Sequence, residues 1–310
     1  MADAVPGVEI VAEGLLFPEG PIAMPDGSVI LVEIAGGRLS RVYPDGKVEV
    51  VAETGGGPNG AAFGPDGRIY VCNNGGFDTV VRDGKVRIAE TLNNYVGGSI
   101  QAVDIKTGAT ETLYREVEGV PLKGPNDIVF DRTGGFWFTD HGKTHDRSVD
   151  RGGLYYAQPD GSSVREVIFP IEGPNGVGLS PEEDAVYVAE THTGRVRRWA
   201  LSGPGQLEAA FGKKTRGDLV IGLPGEQLLD SLAVDGAGHV CVATIRNGGV
   251  TDIDPATGTS THVPTGDPLT TNVCFGGPDL RTAWVTGSNS GTLRKLTWPR
   301  PGLKLNFNPY

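Results

Sequence analysis

The chain has 310 residues, and its 48 Gly and 22 Pro together make up more than a fifth of it. Both residues penalise helix interiors, which argues against long helices, and the lack of a Gly-X-Y period excludes a collagen-like rod. A formal net charge of −11 without any basic run argues against a nucleic-acid surface, and 38% hydrophobic residues spread in apolar runs argue against disorder.

The N-terminus, MADAVPGVEI, lacks a basic stretch followed by an apolar one, and no apolar run approaches 18 residues. The three cysteines, Cys72, Cys241 and Cys274, sit singly in strand-like runs, a pattern of small buried thiols rather than of a disulfide framework. The expectation is a soluble, cytoplasmic protein of one domain over residues 1–310, with a small-molecule substrate and no nucleic-acid or membrane partner. Its oligomeric state is left open.

Six segments repeat in chain order. They are EGPIAMPDGSVILVE from Glu19, NGAAFGPDGRIYVCN from Asn59, NDIVFDRTGGFWFTD from Asn126, NGVGLSPEEDAVYVAE from Asn175, DSLAVDGAGHVCVAT from Asp230 and NVCFGGPDLRTAWVTG from Asn272. Each alternates apolar with small or polar residues, breaks at a turn, mostly Gly-containing, and resumes with a β-branched or aromatic run, which predicts a hairpin. A second hairpin follows each one: GGRLSRVYPDGKVEVVAE after the first segment, for example, and GRVRRWALSGPGQLEAAF after the fourth. Six units of four antiparallel strands predict an all-β, six-bladed β-propeller. The last unit is one outer strand short, so the opening run VEIVAEG is expected to close the ring. The second and third repeats are 67 residues apart, and the excess marks an insertion holding an extra hairpin, TVVRDGKVRIAE, and a loop around Tyr95. Such an insertion can decorate a blade or roof the pocket.

Six inner strands that start at one end of a channel bring six side chains together there: Glu19, Asn59, Asn126, Asn175, Asp230 and Asn272. All offer a side-chain oxygen, and none is His or Cys, so the set suits a hard divalent cation better than zinc. Asn after Gly-Pro is also a common turn residue, as at Asn59, Asn126 and Asn175, but turn chemistry does not explain two acids in the same register. The second strand of each hairpin returns to the same end. Its exit loops place Glu33, Asn73, Asp140, His141, Lys143, Glu190, His192, Arg246 and Ser288 on one rim. His141 there is either a titratable group near the mouth or a solvated loop histidine. A polar pocket would draw on rim Asn, Arg and Glu residues, and a more apolar one on Phe77, Tyr95 and Trp137.

The run LLFPEGP, the repeated GPNG and the segment LLDSLAVDGAGHVCVA resemble the SMP-30/gluconolactonase (regucalcin-like) family, related to the diisopropyl fluorophosphatase group, over essentially the whole chain. The resemblance implies a lactone hydrolase with one divalent cation in the channel, Ca²⁺ first, with Mg²⁺, Mn²⁺, Zn²⁺ or Fe²⁺ as alternatives. It makes Glu19, Asn175 and Asp230 metal ligands, and gives Asn126 either a ligand role or one in orienting substrate. The fluorophosphatase histidine of blade six has no counterpart, as Ser288 and Asn289 stand there. The expected chemistry uses Asp230 to orient or deprotonate water, with Asn126, Asn59 and His141 on the substrate side. The alternatives are a phosphotriesterase or other cyclic-ester hydrolase, a lyase on the same scaffold, or a non-catalytic calcium-binding propeller.

Overall fold

A computed structural model describes residues 5–82, 85–91, 95–208 and 216–310. Among them it is all-β apart from a single 3₁₀ turn at Ile34–Gly36. Six antiparallel sheets, five of four strands and one of five, form the blades of a β-propeller. Their innermost strands are Pro18–Ala23, Pro58–Phe63, Pro125–Phe130, Pro174–Leu179, Leu228–Val234 and Thr270–Gly276. The sixth blade holds Thr270–Gly276, Thr282–Gly287 and Thr292–Thr297, and is completed by Val8–Ala12, which pairs Val8 with Leu296 and Ala12 with Leu293. The ring therefore closes as the sequence predicts.

Blade four departs from expectation. Its third strand, Arg195–Gly203, was expected to turn straight into an outer strand at QLEAAF. Instead only Gln206–Leu207 pairs with its lower part, and Asp218–Gly222 pairs with its upper part as the outer strand. The end of the expected strand lies outside the described residues.

The second strand of each blade is apolar nearly throughout because both of its faces are covered by neighbouring blades. Val29–Glu33, Ile69–Asn73 and Phe136–Asp140 are buried at every position. The core is a ring of inter-blade clusters. In one of them Tyr70, Cys72 and Ile100 of blade two pack on Ile128, Phe130 and Phe138 of blade three. The Pro-Asp-Gly turns serve the hairpins at the far face: Asp26 Oδ1 accepts from the Ser28 amide at 3.0 Å and its hydroxyl at 2.6 Å, while Gly27 takes the positive φ of 82° that the turn demands. All three cysteines are unpaired.

The inner strands begin at one mouth of the channel and end in its back half. A cavity of about 220 Å³ remains there, bordered by Ile22, Phe63, Leu179 and Val234 and closed by the C-terminal segment through Leu303 and Tyr310. No helix of the described residues is long and apolar enough to cross a membrane.

Candidate active site

Every inner strand carries the same irregularity near its start. Pro18 pairs with Glu33 but Ile22 with Ile30, Pro58 with Asn73 but Ala61 with Val71, Pro125 with Asp140 but Ile128 with Phe138, and the other three blades repeat the slip. One extra residue is thus accommodated in each inner strand, and such a bulge re-aims a side chain out of the sheet. It falls at the mouth in six places, at the level of Glu19, Asn59, Asn126, Asn175 and Asp230.

Blade six corrects the sixth member. Thr270 pairs with Gly287 as Pro18 pairs with Glu33, so Thr271 rather than Asn272 occupies the Glu19 level. Asn272 belongs to the tier beneath, with Gly20, Gly60, Asp127, Gly176 and Ser231. Adjacent inner strands touch backbone to backbone in that tier. A Cβ on Gly60 would lie 2.6 Å from Asp127 Cα, and one on Gly176 would lie 2.8 Å from the Ser231 carbonyl carbon. Only glycine permits those approaches.

Three carboxyls are gathered across the two tiers. Glu19 is 2% exposed, and its Oε2 accepts from the Gly20 amide at 2.6 Å and from Asn272 Nδ2 at 2.7 Å. Burial pushes its pKa up to about 7 against those hydrogen bonds. Asp127 reaches about 8, first from burial and then from the charge of Glu19. It accepts from the Ile128 amide at 3.0 Å and, across to blade four, from the Val177 amide at 3.3 Å. Asp230 is held well above the usual carboxylate range by burial, then by Glu19. Among the described residues no cationic side chain pairs with any of the three.

Beside them, the Oδ1 atoms of Asn126 and Asn175 are buried without a hydrogen-bond partner, whereas Asn175 Nδ2 reaches Thr191 Oγ1 at 3.2 Å. Unpaired buried acceptors and uncompensated carboxylates are each costly. Together they make an all-oxygen donor set, and its chemistry fits a hard divalent ion.

The profile of the SMP-30/Gluconolactonase/LRE-like region matches residues 17–289. The chain belongs to this family. Among its relatives, the lactonase drp35 of Staphylococcus haemolyticus is 30% identical over 249 residues, covering 80% of this chain and 69% of the relative. Two solved structures share the propeller. A gluconolactonase from Xanthomonas campestris aligns at TM-score 0.73 and 23% identity, over 94% of this chain and 89% of that one. A calcium-binding regucalcin from Agrobacterium tumefaciens aligns at 0.72 and 18%, over 96% and 97%.

For this SMP-30/gluconolactonase family member, the rim proves largely architectural. Glu33 accepts from Arg38, from Ser40 and from the Leu16 amide. Asp140 takes the amides of Lys123, Gly124 and Gly142, which fixes the corner before Asn126. Glu190 pairs with Arg197 at 2.7 Å. Ser288 donates to the Pro18 carbonyl at 2.7 Å, next to Glu19.

His141 packs edge-on against His192, with ring centroids 5.4 Å apart. Burial, then His192, lowers its pKa to about 4, so it is uncharged at neutral pH rather than titrating there. The apolar candidates are engaged by other parts of the fold. Trp137 is fully buried between blades three and four, and the Phe77 and Tyr95 rings face the Lys143 ammonium at 3.5 and 5.3 Å from their centroids.

At the far face Asp235, His239 and Asp252 lie within metal-binding distance of one another. The cation among them is a guanidinium: Arg300 meets Asp235 at 2.5 Å and Asp252 at 2.6 Å. Sequence reasoning overlooked Asp127, although its signal is legible, since blade three reads GPND where blades two and four read GPNG.

Proposed function

We propose that this protein is a divalent-metal-dependent lactonase, with Ca²⁺ as the first candidate ion. The observation that carries the reading is the buried cluster of Glu19, Asp127 and Asp230 facing the orphaned amide oxygens of Asn126 and Asn175. The lactonase relative supports the reaction class, and the oxygen-only donor set favours a hard ion.

Glu19, Asn126, Asn175 and Asp230 would hold the ion, which supplies Lewis acidity toward the lactone carbonyl. Asn272, bonded to Glu19, keeps that carboxylate turned to the site. Asp127 secures the bulges of blades three and four through the Ile128 and Val177 amides, and would add negative charge beneath the ring once a bound cation favours its ionised form. The Asn59 and Asn126 amide groups can donate to ring and exocyclic oxygens of the substrate. Asp230 takes a proton from the attacking water and returns it to the leaving alkoxide, so lactone and water yield the hydroxy acid with no net proton uptake by the protein. Uncharged His141 stands at the rim as a hydrogen-bonding contact to substrate rather than as a source of protons.

The test is acid release from a panel of lactones, δ-gluconolactone and γ-butyrolactone among them, by protein with Ca²⁺ and after exhaustive chelation. Turnover that vanishes with the metal and returns on adding it back is expected. No lactone turnover, or turnover indifferent to complete metal removal, would falsify the reading.

A further inference from the structure

The blade-two insertion is the largest feature the reaction leaves unused. Its strands Phe77–Arg82 and Lys85–Thr91 pair only with each other and belong to no blade. They leave blade two between its second and third strands, at the mouth end of the channel. The second of them meets three other blades. Thr91 Oγ1 donates to the Thr144 carbonyl of blade three at 3.1 Å, the strand packs on the Ile34–Gly36 turn of blade one, and Arg87 Nη1 donates to the Asn289 carbonyl of blade six at 2.6 Å. Lys85, at the far end, shares a recess with Arg246 and Asn247 of blade five. Blade five is opposite blade two in a ring of six. A ribbon that leaves one and reaches the other therefore crosses the axis, above Glu19 and Asp230.

The attachment is unequal along its length. At the root, Lys143 extends from blade three into blade two, 2% exposed, and donates to the Gly76 carbonyl at 3.0 Å with Asn74 Oδ1 at 3.4 Å. The Phe77 ring covers its ammonium, and Tyr95, whose hydroxyl donates to the Lys123 carbonyl, flanks it. Cation–π contact of this kind strengthens when desolvated. Across the axis, among the described residues, the hold is thinner, and the bond of Arg87 to Asn289 ties the ribbon to blade six. It is well placed to act on the site, because the neighbouring Ser288 is bonded to Pro18, the residue before Glu19.

We propose that the ribbon is a roof over the mouth and that Arg87, its latch, is a specificity-determining residue that confines the site to lactones with short ring substituents. The inference rests on the lactonase reading for its substrate class and on geometry alone for the roof. A sugar-lactone ring lies flat and reaches the ligand ring beneath the ribbon. A lactone with a long alkyl chain must send that chain out where the ribbon passes. Among the described residues the hydrogen bonds of Arg87 go to the Val86 and Asn289 carbonyls and not to Glu19 or the other ligand residues, so removing it leaves the metal ring intact.

Arg87→Ala tests this on the full chain with Ca²⁺ present. Wild-type kcat/KM is expected to fall steeply along a series from γ-butyrolactone to γ-decalactone. In Arg87→Ala the ratio of long-chain to short-chain kcat/KM should rise about tenfold, mainly through KM, and Arg87→Lys should keep most of the wild-type ratio. Hydrogen exchange should quicken in Lys85–Thr91 of Arg87→Ala and stay unchanged in the six inner strands. Unaltered exchange in that strand overturns the latch, and faster exchange with an unaltered chain-length ratio overturns its role in specificity. If no protein opened any lactone, the lactonase reading would fail instead, and exchange alone would decide the roof.

Discussion

The same six strands build two different places. Where they begin, each is bulged, and the side chains thrown into the channel are acids and amides: Glu19, Asn59, Asn126, Asn175, Asp230. Where they end, the pairing is regular, and Ile22, Phe63, Phe130, Leu179 and Phe275 turn sideways into the clusters between blades. The mouth accumulates buried charge that the protein alone does not neutralise. The back half is apolar and sealed by a tail tied down by ordinary hydrogen bonds. The comparison teaches that in this propeller chemistry and stability are carried by opposite ends of one strand, separated by a register slip of one residue.

The strongest way to break that division is at the mouth. Glu19→Gln and Asp230→Asn should each lower kcat/KM by about 10³-fold or more, because a ligand charge is lost where the ion must be held. Calorimetric titration should show metal binding lost alongside. The same substitutions should raise the melting temperature of the metal-free protein, since each removes a buried carboxyl repelled by its neighbours. A mouth variant that kept full metal-dependent activity would erase the distinction between the two ends.

Proton linkage offers a second contrast. Glu19 and Asp127 have folded-state pKa values raised to about 7 and about 8. Groups with raised values bind more protons folded than unfolded, so their contribution is full below about pH 4 and is lost as pH climbs through 7 to 8. The metal-free protein should therefore lose melting temperature between pH 5 and pH 8, and saturating Ca²⁺ should flatten that slope. A metal-free profile flat over this range would mean that the three carboxyls do not share a buried site.

Asp127→Asn probes the boundary between the two ends. The amide oxygen can still accept from the Ile128 and Val177 amides, so the bulges of blades three and four survive while a charge beneath the ring is removed. Outer-shell changes of this kind cost about 10- to 100-fold in metal affinity. The lower part of that range is expected here, read by titration with Ca²⁺, with melting temperature of the metal-free form unchanged or raised.

How much of this was legible in the sequence follows from what a repeat can and cannot encode. Hairpin alternation fixed the blade count, and the missing outer strand of blade six foretold the pairing of Val8–Ala12 with Thr292–Thr297. The first-tier residues of blades one to five were visible because GPN and its variants recur. Blade six was misplaced by one residue because the side chains that hold Glu19 there are consecutive: Thr271 and Asn272 are both polar, and only the pairing of Thr270 with Gly287 tells them apart. The outer strand of blade four was missed because Asp218–Gly222 stands well beyond the third strand it joins. The roles of His141 and Phe77 had no signature in the repeat. What each does depends on His192 and Lys143, partners brought close by folding alone.

The smallest effects belong to the back half, and Phe307 separates two terms there. Its ring meets Phe130 edge-on with centroids 6.0 Å apart, while its backbone sits at φ 62°, a conformation that disfavours any side chain. Phe307→Ala removes the edge contact with buried Phe130, about 1 kcal/mol, and keeps the strain. Phe307→Gly removes both, and relief of a left-handed residue is worth about 1 kcal/mol in the other direction. Melting temperature should fall by about 2 °C in Phe307→Ala and change by less than about 1 °C in Phe307→Gly. Lactone turnover and metal affinity should match wild type in both. Equal losses in the two variants would show that the tail is held by packing without strain. A loss of turnover in either would show that the sealed end reaches the mouth after all, through the Phe130 strand whose other end carries Asn126.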